Sequence, residues 1–150
     1  MPGTWSQLLV HFVFATKHRS PWIRAEVASR LHPYMGGIVR AEKCVPLEIG
    51  GVEDHVHLLV RCRPDLSISD LMRTVKARSS KWMHETYPDL GEFAWQEGYA
   101  AFSVSKSAED AVRTYIRNQV EHHRKEDFKS ELVKMLKLQE VEVDERYLFD

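Results

Sequence analysis

The sequence predicts an α+β fold of the ferredoxin-like βαββαβ kind: an antiparallel sheet with helices packed on one face, plus an additional C-terminal helix. Three observations lead there. Short β-branched and aromatic runs alternate with longer stretches of helical spacing in the order strand, helix, strand, strand, helix, strand. The two middle strands are joined through "GGVED", a hairpin-like link. A third helical stretch then follows the fourth strand.

Each element has its own signal. "SQLLVHFVFATK" (6–17) is dense in apolar, β-branched and aromatic residues and reads as the first strand. Residues 21–43 carry helical spacing, with Pro21 near the start and an irregularity expected at Gly36–Gly37. "CVPLEIGGV" and "DHVHLLVRC" are the second and third strands. Residues 67–88 open with Ser67 and Asp70 in a capping-box-like pattern and are stopped by Pro88. On a helical wheel Ile68, Leu71, Val75 and Trp82 share one side, while Arg73, Lys76 and Lys81 point away from it. The stretch "FAWQEGYAAFSVS" ends in the fourth strand, and residues 107–123 form the third helix, with Ser107 and Asp110 as its cap. Val112, Ile116 and Val120 seat that helix on the sheet. From Arg124 the chain continues as charged helix, and "VEVDERYLFD" ends it as an extended segment. No repeat or linker interrupts the chain, so one domain is expected over 1–150, with a core of about 5–123 and a tail of about 124–150.

Composition narrows the classes. With 43% hydrophobic and 29% charged residues in 150, the chain suits a soluble globular protein rather than a disordered one. Cys44 and Cys62 have no metal-type spacing and fit a reducing cytosol. No basic start precedes an apolar run at the N-terminus, and no stretch approaches the roughly 20 apolar residues of a membrane helix. A cytoplasmic protein without a membrane partner is expected. The net charge of −1 hides an asymmetry: residues 61–81 hold six bases and two acids, whereas the last 25 residues hold eight acids and four bases. A basic face with an acidic tail suits a polyanion, and equally a solvated helix.

The chemistry-bearing pattern is "DHVHLLV". Side chains alternate along a strand, so His55 and His57 share one face and Val56 the other. Two imidazoles so placed are ready ligands for a divalent cation. Chance alone gives roughly 0.4 such pairs in a chain this rich in histidine, so the pair by itself is equally two hydrogen-bonded histidines. The third helix adds Tyr115 and Gln119 at i and i+4, side by side. A tyrosine hydroxyl and an amide oxygen brought against the histidine strand would assemble a nucleophile, a metal pair and a third ligand, the set that phosphoryl transfer requires. His122 and His123 read as a solvated helix end; Trp82, Trp95 and Tyr99 read as core residues rather than base-stacking platforms.

"DHVHLLV" and "YIRNQVEHH", with "FAWQEGYAAFSVS" between them, resemble the single-tyrosine HUH transposases of insertion sequence family 200/605, often called TnpA. The likeness runs from "SQLLVHFVFATKHR" to "DERYLF", with the motifs in the family's order and spacing. The resemblance implies that His55 and His57 are the HUH pair, Tyr115 the nucleophile, and Gln119 the third ligand of a magnesium or manganese ion. It implies cutting and rejoining of single-stranded DNA beside subterminal hairpins, through a 5′-phosphotyrosine and a free 3′-hydroxyl, without a nucleotide cofactor. It also implies a homodimer able to exchange tyrosine helices in trans, in a prokaryotic, nucleoid-associated setting. Arg73, Lys76, Arg78 and Lys81 are the expected contacts to the DNA backbone. Three rivals remain. The tyrosine transposases associated with repetitive palindromes usually show proline where Gln119 stands. A non-catalytic DNA-binding domain of the same fold has no reason to keep all four site residues. An unrelated metal hydrolase would need a further Asp, Glu or His ligand.

Overall fold

The structure, a computed structural model, describes residues 3–148. Its centre is a four-stranded sheet in the order β2-β3-β1-β4, built from β1 (Leu9–Ala15), β2 (Val45–Val52), β3 (His55–Arg61) and β4 (Ala100–Val104). Every neighbouring pair is antiparallel. The crossovers are α1 (Ala25–Ala41) and α2 (Ile68–Thr86), so the expected βαββαβ order is present. β2 and β3 pair from Val45↔Arg61 to Val52↔His55, which leaves Glu53 and Asp54 as the hairpin turn.

Strand alternation divides the sheet into two unlike faces. Val10, Phe12 and Phe14 of β1 and Val56, Leu58 and Val60 of β3 pack against α1 and α2 in the larger core cluster. Helix α1 runs unbroken through Gly36–Gly37, where an irregularity was expected, and carries Pro33 within it. Helix α2 starts as expected: the Ser67 hydroxyl accepts from the Asp70 N–H at 3.0 Å, a cap worth about 1 kcal/mol. Its apolar side is Leu71, Met72, Val75 and Met83, while Ile68 at its start is exposed instead. A residue in the first turn has no preceding helical turn beside it, which the wheel does not register.

The opposite face presents Leu9, His11, Val13 and Ala15 beside His55, His57 and Leu59, and it is covered by the C-terminal third of the chain. There the chain departs from the expected single helix over 107–123. A 3-10 turn, Lys106–Ala108, precedes α3 (Glu109–Arg117); the chain kinks at Asn118 and resumes as the short α4 (Gln119–His122). The Ser107 hydroxyl pairs with Ser105 rather than capping the helix, because the 3-10 turn displaces the helix start past it. The kink also rotates Val120 outward to 61% exposure, so Ile116, fully buried, anchors the segment without it. The expected continuous charged tail is broken as well. A loop separates α4 from α5 (Phe128–Leu138), whose first turn is capped by Asp127 accepting from the Ser130 N–H at 2.9 Å. Phe128, Leu132 and Leu136 of α5 pack on Val13, Ala15 and Phe102, each worth roughly 1.5–3 kcal/mol of burial. Beyond it the described residues hold no strand: Glu145–Tyr147 form a 3-10 turn where an extended end was expected, and Phe149 and Asp150 lie outside the described residues.

Candidate metal and tyrosine site

His55 and His57 are fully buried on the face that α3, α4 and α5 cover. The residues beside them are small enough to leave room: Ala15 and Val52 flank His55, and Val13 and Gly50 flank His57. Gly50 has a specific task, since a Cβ there would lie 2.3 Å from the Ile116 carbonyl oxygen. Only glycine lets the backbone of α3 approach β2 so closely. That approach lowers Tyr115, one residue before Ile116, onto the histidines: its ring centre lies 5.7 Å from that of His57.

Outer partners orient both imidazoles. The Asp54 carboxylate holds His55 Nδ1 at 2.8 Å, and His11 Nε2 holds His57 Nδ1 at 2.8 Å. Such second contacts turn the opposite ring nitrogens inward. The ring of Phe128 stacks on His55 at 3.9 Å and closes the site from above. Gln119, almost fully buried, brings its amide oxygen to 3.1 Å from His55 Nε2. The two sequence segments, 60 residues apart, therefore meet within one chain.

Two residues outside the expected set, one of them read as part of a solvated helix end, join them. His123 Nε2 lies 2.9 Å from the Gln119 oxygen, not in solvent at a helix end. Glu131 of α5, only 2% exposed, sits at the centre. Its Oε1 faces His57 and His123 Nε2 at 3.2 Å and His55 Nε2 at 3.4 Å. Its Oε2 accepts from the Tyr115 hydroxyl and from the Gln119 amide. His55, His57, His123 and Glu131 place one ligand atom each within 4.8 Å of one another. Opposed ligands of an octahedral ion with bonds of about 2.1 Å stand about 4.2 Å apart, so this group fits a divalent cation with small adjustments. A signal for Glu131 existed: it lies at i+3 from Phe128, on the border of the apolar stripe of α5.

Burial and charge set the proton affinities. Burial and the neighbouring imidazoles push His57 down to about 4 against the help of Glu131. His11 is pushed down to about 3 by burial and by His57. For His55 burial acts the same way, but the bonds to Asp54 and Glu131 outweigh it and hold its pKa above the ordinary value. The Glu131 carboxyl, despite its burial, is held far below the carboxylate range by its imidazole partners. Tyr115 is pushed well above the ordinary phenol by burial and by the Glu131 charge. A cation beside Glu131 would offset that charge and make the phenolate accessible.

The four basic residues of α2 lie across the sheet from this site and differ among themselves. Arg73 and Lys81 are exposed and pair with Asp70 and Glu85, and Arg78 is exposed. Lys76 turns inward instead of away: its ammonium donates to the carbonyls of Gln96, Glu97 and Gly98 and lies over Phe14 and Tyr99. Its long stem can cross the helix flank to reach them. Trp95 is buried as expected, Trp82 stacks on Tyr34 at the rim, and Tyr99 is exposed rather than core.

A four-stranded antiparallel sheet that places two histidines beside a tyrosine on a covering helix is the arrangement that the resemblance to the HUH-type tyrosine transposases implies. The profile of the family described as "Transposase IS200 like" matches residues 4–119, and the chain belongs to that family. It is 29% identical over 118 residues to the ISDra2 transposase TnpA of Deinococcus radiodurans, covering 75% of this chain and 84% of that protein. It is 28% identical over 120 residues to the transposase for insertion sequence element IS200 of Salmonella typhimurium, covering 76% and 78%. Among solved structures, a transposase from Deinococcus radiodurans R1 superposes with a TM-score of 0.67 at 27% identity, over 79% of this chain and 95% of that one. A REP-associated tyrosine transposase bound to a REP hairpin shares the fold, with a TM-score of 0.60 at 13% identity over 82% and 73%. Membership implies DNA cleavage and strand transfer as the class of activity. No helix among the described residues is long and apolar enough to cross a membrane.

Proposed function

We propose that this protein cuts and rejoins single-stranded DNA at the ends of an insertion sequence through a covalent bond to Tyr115. The observation that carries the reading is the meeting of Tyr115 and Gln119 with His55 and His57 in one buried place. The Tyr115 oxygen attacks the scissile phosphorus, the new P–O bond replaces the bond to the 3′-oxygen, and the proton lost by the phenol balances the one gained by the leaving hydroxyl. The product is a 5′-phosphotyrosine and a free 3′-hydroxyl. Attack by another 3′-hydroxyl reverses the exchange with the number of phosphodiester bonds conserved, so no nucleotide cofactor is required.

His55, His57 and Gln119 would hold a divalent ion, Mg2+ or Mn2+, which when bound supplies charge neutralisation at the phosphate. Asp54 and His11 keep the imidazoles aimed, Gly50 sets the height of the tyrosine helix, and Phe128 keeps water from the site. The further acid and imidazole that a metal hydrolase would need are present in Glu131 and His123. Tyr115 and the family match favour the transposase reading over that one. The substrate is taken to be hairpin-bearing DNA, since the REP-associated relative by fold is bound to such a hairpin. Homodimeric action, with a tyrosine helix able to serve either subunit, belongs to the same reading through the family resemblance. The α2 face of Arg73, Arg78 and Lys81 would contact the DNA backbone, with Lys76 acting indirectly.

The test is incubation with hairpin-bearing single-stranded DNA and Mg2+ or Mn2+, followed by denaturing electrophoresis. Wild type should give a protein–DNA adduct that chelation prevents. An equal adduct from Tyr115→Phe sinks the mechanism.

A further inference from the structure

Glu131 and His123 lie beyond residues 4–119, the part matched by the family profile, yet the geometry gives them a shared task. The atoms meeting at the site centre are of the kinds that ligate metal ions. A carboxylate only accepts, so His55 must donate from Nδ1 to Asp54, which leaves an Nε2 lone pair turned inward in the neutral ring. His57 Nδ1 is occupied by His11, so only its Nε2 is free to face the centre. The Gln119 amide donates from Nε2 to Glu131 Oε2, which turns its own oxygen toward His55 and His123. Glu131 Oε2 already accepts from Tyr115 and Gln119, so Oε1 is the oxygen left to face the three imidazoles. Three ring nitrogens and two oxygens thus converge on one point, where a metal ion would replace the protons that His57 and His123 share with Glu131. A buried carboxylate requires a cation or hydrogen-bond donors beside it, and the ion pairs of Glu131 among the described residues are all with imidazoles, which are themselves metal ligands.

We propose that Glu131, through Oε1, and His123, through Nε2, are ligands of the divalent metal alongside His55, His57 and Gln119, and that Glu131 links this metal to the attacking hydroxyl of Tyr115 through Oε2. The inference rests on the reading of His55, His57 and Gln119 as the metal site. It makes α5 part of the catalytic centre rather than a tail, held by metal ligation at Glu131 and by the stack of Phe128 on His55. A nitrogen-rich set with one carboxylate also suits Mn2+ better than Mg2+, because imidazole is a poor partner for the harder ion.

The experiment is calorimetric titration of the full chain with Mn2+ in the absence of DNA, for wild type, His55→Ala, Glu131→Ala, Glu131→Gln and His123→Ala, each checked for folding by circular dichroism. Wild type should bind one equivalent, His55→Ala should bind none measurably, and Glu131→Ala and His123→Ala should weaken binding about tenfold or more. Glu131→Gln, which keeps the shape and a neutral oxygen, should fall between. Wild-type affinity in Glu131→Ala overturns the inference and leaves the His55–His57–Gln119 site standing, whereas no Mn2+ binding by wild type removes that site too. Faster adduct formation by Glu131→Ala also overturns the inference, since Glu131 would then be occupying the position of the phosphate. If the variants do not fold, hydrogen exchange on wild type decides: Mn2+ must slow exchange across Phe128–Leu138, and unchanged exchange there overturns the assignment.

Discussion

Gly50→Ala isolates the placement of the tyrosine from its chemistry. The added methyl would meet the Ile116 carbonyl oxygen at 2.3 Å and the Ile116 Cγ2 at 3.0 Å, one contact with backbone and one with a fully buried side chain. Neither can swing aside, so α3 must lift from β2 by roughly 1 Å to restore ordinary contact. Overpacking of this kind costs about 1–3 kcal/mol, which for a protein of this size lowers Tm by roughly 2–4 °C per kcal/mol. Tyr115 precedes Ile116 and moves with it; a misplacement of about 1 Å in a reacting group can cost about 100-fold in rate. Single-turnover adduct formation on hairpin-bearing DNA should therefore slow by far more than the loss of stability explains, while the histidines on β3 stay in place. Gly37→Ala is the matched control: nothing lies within 4 Å of its added methyl, and it sits inside α1. That change should stabilise by about 0.5–1 kcal/mol and leave the rate alone. Wild-type kinetics in Gly50→Ala would refute the docking of the tyrosine helix on its own sheet as the reactive arrangement.

Four further outcomes follow from the same geometry. Lys76→Ala should lower Tm, because it frees the carbonyls of Gln96, Glu97 and Gly98, and leave the salt dependence of DNA affinity unchanged. Arg78→Ala should reduce that slope by about 0.7–0.9 with little effect on Tm; fluorescence anisotropy across salt concentrations separates the two. Asp127→Ala removes the cap of α5 and should cost about 1 kcal/mol together with some Mn2+ affinity; a loss of stability with unchanged affinity would detach α5 from the site. Acid should destabilise the protein between about pH 6.5 and pH 4. His11 and His57 have folded pKa values near 3 and 4 against 6.5 when unfolded. The unfolded chain therefore binds more protons in this window, and stability falls as pH drops. Glu131, depressed in the fold, adds to the loss on acidification, and His55, raised in the fold, partly opposes it. A flat Tm profile over that range would contradict the burial of neutral imidazoles.

What the sequence made legible is what local patterns encode. The four strands and the two crossover helices declare themselves by period and by turn residues, and Ser67 caps α2 as its spacing implies. His55 and His57 share a face because a strand alternates, and Tyr115 and Gln119 remain neighbours although Asn118 kinks the helix between them. The misreadings arise where long-range packing decides. Ser107 looked like a cap until a 3-10 turn took its place, and Val120 followed the helical period that the kink interrupts. Lys76 belongs by sequence to a charged face, but its stem is long enough to turn inward to a loop 20 residues away. Glu131 stands in "KSELVK", where only its place beside the apolar stripe sets it apart from an ordinary charged helix. Only the docking of α5 over Val13, Ala15 and Phe102 makes it the centre of a site whose other members lie up to 76 positions earlier.

The central claim is that Tyr115 itself becomes bonded to DNA. Its most direct test is mass spectrometry of the proteolysed adduct formed with hairpin-bearing DNA and Mn2+. The account predicts one modified peptide, containing Tyr115 and carrying the DNA segment on the 3′ side of the cut through its 5′-phosphate. Attachment at another tyrosine, such as the exposed Tyr34, Tyr99 or Tyr147, or cleavage with no attached peptide at all, would contradict it.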